Sequence, residues 1–93
     1  MREMFPRIIG VKHVREYVLH LTFANGEKAV LDMVARVIGR GGVFELLEDV
    51  GYFAQVAVDP EVHTLVWPNG LNLDPDVLYS EATGTPLPVL QTI

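Results

Sequence analysis

The sequence predicts an α+β fold: a small antiparallel sheet of about five strands, with a short helix mid-chain and a capped C-terminal helix packed on it. Three observations predict it. Tyr17, Leu19, Leu21 and Phe23 alternate with Val18, His20 and Thr22, the two-residue period of a half-buried strand. Asn25-Gly26 and Asp59-Pro60-Glu61-Val62 are turn sequences set between apolar runs. The stretch from Trp67 to Tyr79 then joins an apolar strand to a helix start, and it holds the single tryptophan.

Taken in order, Pro6 opens the first strand, Arg7 to Val14, where its missing N–H falls at the end of the ladder. The second strand is Tyr17 to Phe23, and the third begins at Glu27. The loop between them sets the register. A two-residue Asn25-Gly26 loop pairs Phe23 with Lys28 and Leu21 with Val30. A three-residue loop with Gly26 left-handed pairs Phe23 with Glu27, Leu21 with Ala29, Leu19 with Leu31 and Tyr17 with Met33. Only the second makes one face consistently apolar, and a slip by one residue would turn every side chain over. The three-residue turn is therefore expected.

Val34 to Ile38 reads as a short helical turn and Gly39-Arg40-Gly41-Gly42 as a flexible break. Phe44 and Leu47, three apart, suit a brief amphipathic helix over Val43 to Val50, ended by Gly51. Phe53 to Val58 and His63 to Trp67 read as an antiparallel hairpin around Pro60. Pro68-Asn69-Gly70 stops the second of these strands. Asp74 caps the last helix, Pro75 takes its first position and Asp76 favours the positive end of its dipole. Leu78 and Tyr79 are expected on the inner side, with the stop at Gly84 or Pro86.

The 93 residues form one domain, 1–93, with a core at about 6–84 and an extended apolar tail over 85–93. With 49% hydrophobic and 20% charged residues the chain is too apolar for a disordered segment. Seven basic residues against twelve acidic ones give a net charge of -5, and no Lys/Arg run offers a local patch. Both facts argue against direct nucleic-acid contact. The absence of cysteine removes disulfides, thiolate metal sites and a Cys nucleophile. No apolar run is long enough for a signal peptide or a membrane span, so a soluble cytoplasmic protein is expected.

The alternation around Leu19 to Phe23, the Asn25-Gly26 turn, Leu31-Asp32, Phe44, Trp67-Pro68-Asn69-Gly70 and Asp74-Pro75-Asp76-Val77-Leu78-Tyr79 together resemble a bacterial family. It is catalogued as a domain of unknown function, number twenty-four forty-two. The resemblance covers residues 6–82 and implies an α+β fold with a helix or two on a small antiparallel sheet. Members occur alone or ahead of a helix-turn-helix, for which this chain is expected to be too short. Some members look like the antitoxin half of a two-gene pair, which implies a small partner protein. Others carry a label for molybdopterin guanine-dinucleotide synthesis; that implies a Gly-rich nucleotide loop on a parallel sheet, and the sequence has neither.

The chemistry-bearing residues have structural readings beside functional ones. Asp74 and Asp76, with Asp32 and Asp59, could be oxygen ligands, but neighbouring aspartates at a helix start are common as caps and match no calcium loop. His13, His20 and His63 stand in no metal-ligand spacing, and solvated strand histidines are the better reading. Ser80 lacks a nucleophile elbow, and Gly39 to Gly42 lack the Lys-Ser/Thr of a phosphate loop. No cofactor, metal or catalytic residue is expected.

Trp67, Asn69, Asp74 and Tyr79 are the candidate partner- or ligand-binding residues, since Trp and Tyr near a polar turn can anchor a partner. The competing reading is structural: Trp67 under the last helix, Asn69-Gly70 for turn geometry, and Tyr79 tying helix to sheet through its hydroxyl. The expected function is a non-enzymatic protein-interaction module, antitoxin-like, with a small basic partner. The alternatives are a small-molecule-binding domain or minor enzyme near Trp67 and Tyr79, and a structural homodimer formed by a strand edge or the tail.

Overall fold

The computed structural model describes residues 6–84 and has the expected α+β class. Strands β1 (Ile8–Arg15), β2 (Val18–Phe23) and β3 (Lys28–Asp32) form an antiparallel sheet in sequential order. The short helix α1 (Val34–Val37), two 3-10 turns (Gly42–Phe44 and Leu46–Glu48) and helix α2 (Val50–Phe53) follow. A two-stranded hairpin, β4 (Ala57–Val58) and β5 (Leu65–Val66), precedes the C-terminal helix α3 (Pro75–Thr83). The strands thus divide between two sheets. The expectation for the tail over 85–93 falls outside the described residues.

The β2–β3 register is the three-residue solution. Leu21 faces Ala29 and Leu19 faces Leu31. Phe23 N–H donates to the Glu27 carbonyl and Met33 N–H to Tyr17, each at 2.8 Å. Gly26 supplies the turn with φ +92°, a conformation that costs a Cβ-bearing residue energy. Leu19, Leu21, Phe23, Leu31 and Met33 consequently share one buried face. Two irregularities mark β1, between Ile8 and Gly10 and between His13 and Arg15, whereas the β2–β3 ladder has none.

The middle of the chain differs from the expected single helix over 43–50. Asp49 is extended, and its side chain accepts from the Gly51 and Tyr52 amides, so it caps a new helix that runs through Gly51. Gly51 is therefore a helix residue and not a stop. Phe53 belongs to α2, so the strand expected over 53–58 shrinks to Ala57–Val58. Its partner shrinks from 63–67 to Leu65–Val66, because His63 turns left-handed at φ +58°. The hairpin itself is antiparallel as expected, with Ala57 opposite Val66. Asp59 shapes its turn, accepting from the amides of Glu61 and Val62.

Helix α3 has both expected ends. Asp74 accepts from Asp76 N–H at 2.9 Å, Pro75 opens the helix, and Gly84 closes it in the left-handed region. It buries Leu78 and Tyr79 in a single core with Ile8, the apolar sheet face, Val37, Leu47, Phe53, Leu65 and Trp67. An Arg36–Glu81 ion pair, held by two guanidinium nitrogens, joins α1 to α3 across the surface. No helix of the described residues is long and apolar enough to cross a membrane.

Candidate functional site

The segment from Trp67 to Asp74 is held by its own backbone. Trp67 N–H donates to Leu71, Gly70 N–H returns to Trp67, and Val66 bridges Asn72. Gly70 sits at φ +88°, where the tight turn needs a residue without Cβ. The buried Thr64 hydroxyl donates to the Leu73 carbonyl at 2.6 Å, tying the start of the hairpin strand to the approach of α3. The turn therefore presents its side chains in fixed directions.

Each of the four candidate residues has a polar atom engaged within the fold. The Trp67 indole is buried and donates to the Phe53 carbonyl at 2.9 Å, with the two rings 5.7 Å apart. These contacts fix α2, while Leu78 and Tyr79 of α3 complete the same cluster. Asn69 works in two directions. Its Oδ1 accepts from Leu71 N–H, and its Nδ2 donates to the Val43 carbonyl at 3.1 Å, pinning the first 3-10 turn. Asp74 accepts the helix-capping bond. The Tyr79 hydroxyl donates to Glu27 in the β2–β3 turn, and its ring meets Phe23 edge-on at 4.9 Å.

The Tyr79 hydroxyl, and after it the Asn25 amide, hold the Glu27 carboxyl below its ordinary value of 4.5. Glu81 raises Arg36 above its ordinary value, chiefly by hydrogen bonding to the guanidinium. Among the described residues no group of three or more His, Asp or Glu could hold a metal ion. His13 instead bonds the Glu16 carbonyl and lies edge-on to Phe53. His20 lies on the outer sheet face, as expected from the strand alternation.

Two surface groupings were not visible in the sequence. The strand registers place Lys12 beside His20 and Val30, Thr22 beside Lys28, and Arg15 and Asp32 beside Val18, all on the face opposite the core. Three cations scattered along the chain thereby share one face, although no basic run announces it. The second grouping lies in the connection from β3 to α2. Val34, Ile38, Val43, Leu46 and Val50 all stand at least 38% exposed there.

The fold resembles the crystal structure of a protein from Nitrosomonas europaea ATCC 19718 named "Putative DNA Binding Protein", at a TM-score of 0.71 and 24% identity. The match covers 90% of this chain and 54% of the other, so this chain spans about half of that protein's length. At this identity the likeness is one of fold. No curated protein matches the chain. A family model does match, over residues 8–84, from the first residue of β1 to the glycine that closes α3. The hairpin register, the Trp67 turn and the capped last helix all lie inside that span, and the chain belongs to the family described as a protein of unknown function, DUF2442.

Proposed function

We propose that the chain is a non-enzymatic protein-interaction module whose partner-binding surface is the 34–50 segment. The observation that carries this is the exposure of Val34, Ile38, Val43, Leu46 and Val50 along one connection. A surface that leaves this much large apolar side chain in water favours association. Exposed Glu45, Glu48 and Asp49 stand in the same segment. Apolar contact bordered by acid suits a small basic partner, with charge setting the approach and apolar burial the affinity. An antitoxin-like role is compatible with such a surface: an acidic module covering the phosphate-binding face of an RNA-directed protein.

The engagement of Trp67, Asn69, Asp74 and Tyr79 in the fold favours their structural reading over a ligand pocket. A thermal-shift panel of small molecules checks this, with no compound expected to raise the melting temperature.

DNA contact is the competing reading, suggested by the name of the Nitrosomonas protein. The outer sheet face with Lys12, Arg15 and Lys28 favours it; the net charge of -5 opposes it. Three cations support a slope of log K against log salt of about -3 at most, a weak footprint for a DNA-binding domain.

The test is a gentle, low-salt pull-down of the tagged chain from its native host. A stoichiometric small basic protein is expected, together with loss of that protein from Leu46→Glu and Val43→Glu variants that keep the wild-type melting curve. Growth arrest on expressing the partner alone would complete the antitoxin reading. Recovery of the chain by itself would overturn it.

A further inference from the structure

The two edges of the three-stranded sheet are built differently. The β1 edge carries both ladder irregularities, and the Ile8 amide at its start is bonded to the His63 carbonyl of the β4–β5 turn. Bulges and covering segments are the usual means by which an edge is kept from pairing with another chain. The β3 edge has neither a bulge nor a proline, and no backbone bond from another described element reaches Lys28, Val30 or Asp32.

The ladder determines which groups that edge offers. Glu27, Ala29, Leu31 and Met33 face β2 through their hydrogen bonds, as the flanking Phe23–Glu27 and Tyr17–Met33 bonds show. Antiparallel alternation therefore turns the N–H and C=O of Lys28, Val30 and Asp32 outward. Their side chains lie together on the outer face and are exposed, Val30 at 60%. The edge reads cation, apolar, anion.

That order is self-complementary. We propose that β3 pairs antiparallel with β3 of a second copy, on a two-fold axis through Val30, merging two three-stranded sheets into one of six strands. In this register Val30 meets Val30 of the partner copy, and Lys28 meets Asp32 at both ends. Each of these facing pairs exchanges both backbone bonds, about six in all. The cross-strand side-chain pairs are apolar with apolar and cation with anion, the combinations that stabilise a sheet. A register shifted by two residues places Lys28 against Val30 and forfeits both matches. The Lys28 side chain makes no hydrogen bond or ion pair among the described residues, and Asp32 uses Oδ1 for the Val34 amide, so its Oδ2 is available to accept from the partner lysine. The axis also brings two copies of the Lys12–His20–Val30 row end to end across the new sheet.

This pairing is separate from the 34–50 surface, so Leu46→Glu is expected to leave it intact, and either proposal can fail without the other. Sedimentation velocity on the full chain up to about 100 μM is expected to show a dimer. Val30→Lys and Val30→Glu each place like charges opposite one another, so each alone should raise the dissociation constant about tenfold or more. An equimolar mixture of the two variants should recover a heterodimer, because Lys then faces Glu. Both substitutions fall on an exposed side chain, and unchanged melting curves verify the folds. A monomeric wild type over that range, a dimer indifferent to Val30→Lys, or a mixture that stays monomeric would each overturn the proposal.

Discussion

Trp67 and Phe53 are joined twice, by the indole N–H to the Phe53 carbonyl and by contact of the two rings. The carbonyl ends α2 and accepts two donors, the Val56 N–H at 3.2 Å and the buried indole N–H at 2.9 Å. One side chain thus fills the core and terminates a four-residue helix that could not persist by itself.

Replacing Trp67 by Phe is expected to cost about 2–4 kcal/mol, from lost ring volume and the lost indole hydrogen bond to the Phe53 carbonyl, which keeps its bond from Val56 N–H. Urea unfolding of wild type and variant measures it. The wild-type tryptophan emission should also be blue-shifted and move red in step with the loss of far-UV CD.

Tyr79→Phe removes the hydroxyl that holds Glu27 below 4.5, and the Glu27 carboxyl should then titrate closer to that value in a side-chain NMR titration. The sign for stability follows from the depression. Glu27 contributes stability above 4.5, and that contribution disappears as pH falls through its lower folded value. Wild type should therefore lose stability more steeply than Tyr79→Phe on the acid side of 4.5, while the difference between them is constant near neutrality.

Asn69→Ala frees the Val43 carbonyl and undoes the Asx bond to Leu71, with an expected loss of about 1–2 kcal/mol. The effect should be local. Limited proteolysis and amide exchange should accelerate over 39–48 well before the rest of the chain.

Asp74→Ala removes the cap of α3, at about 1 kcal/mol by thermal melting, whereas Asp74→Asn should cost clearly less. Arg36→Ala, which breaks a pair with both partners partly exposed, should cost about 0.5 kcal/mol or less. Together the two would rank the forces that hold α3, with the cap above the ion pair.

Fluorescence anisotropy with a labelled DNA duplex at low salt is expected to show no saturable binding by the chain. Saturable binding that falls in a Lys12→Ala, Lys28→Ala variant would move the outer sheet face to the centre of the functional account.

What could be read in the sequence was local. The β2–β3 register followed from the alternation of Leu19, Leu21 and Phe23 and the position of Gly26, and both ends of α3 were written in Asp74-Pro75 and Gly84. The α2 cap was equally local, since Asp49 stands immediately before the helix, but Gly51 resembled a terminator and the apolar run from Phe53 suggested an extended strand. Tertiary contact decided that case, because Phe53 packs against Trp67, Tyr17 and His13 from a helix end. The candidate residues were chosen for aromatic and turn character; their partners Phe53, Val43 and Glu27 lie far along the chain, and no local pattern announces them. The same holds for the shared face of Lys12, Arg15 and Lys28, which exists only once two registers are known.

Leu78 and Tyr79 close a core whose other walls come from residues 8–67. On the ribosome, the sheet bearing Leu19, Leu21, Phe23 and Leu31 leaves the exit tunnel long before the helix that covers it. Its apolar face must wait uncovered until the residues of α3 have been added and released. For that interval the nascent chain offers holding chaperones an apolar surface, and slowing translation after residue 66 should lengthen its exposure to them.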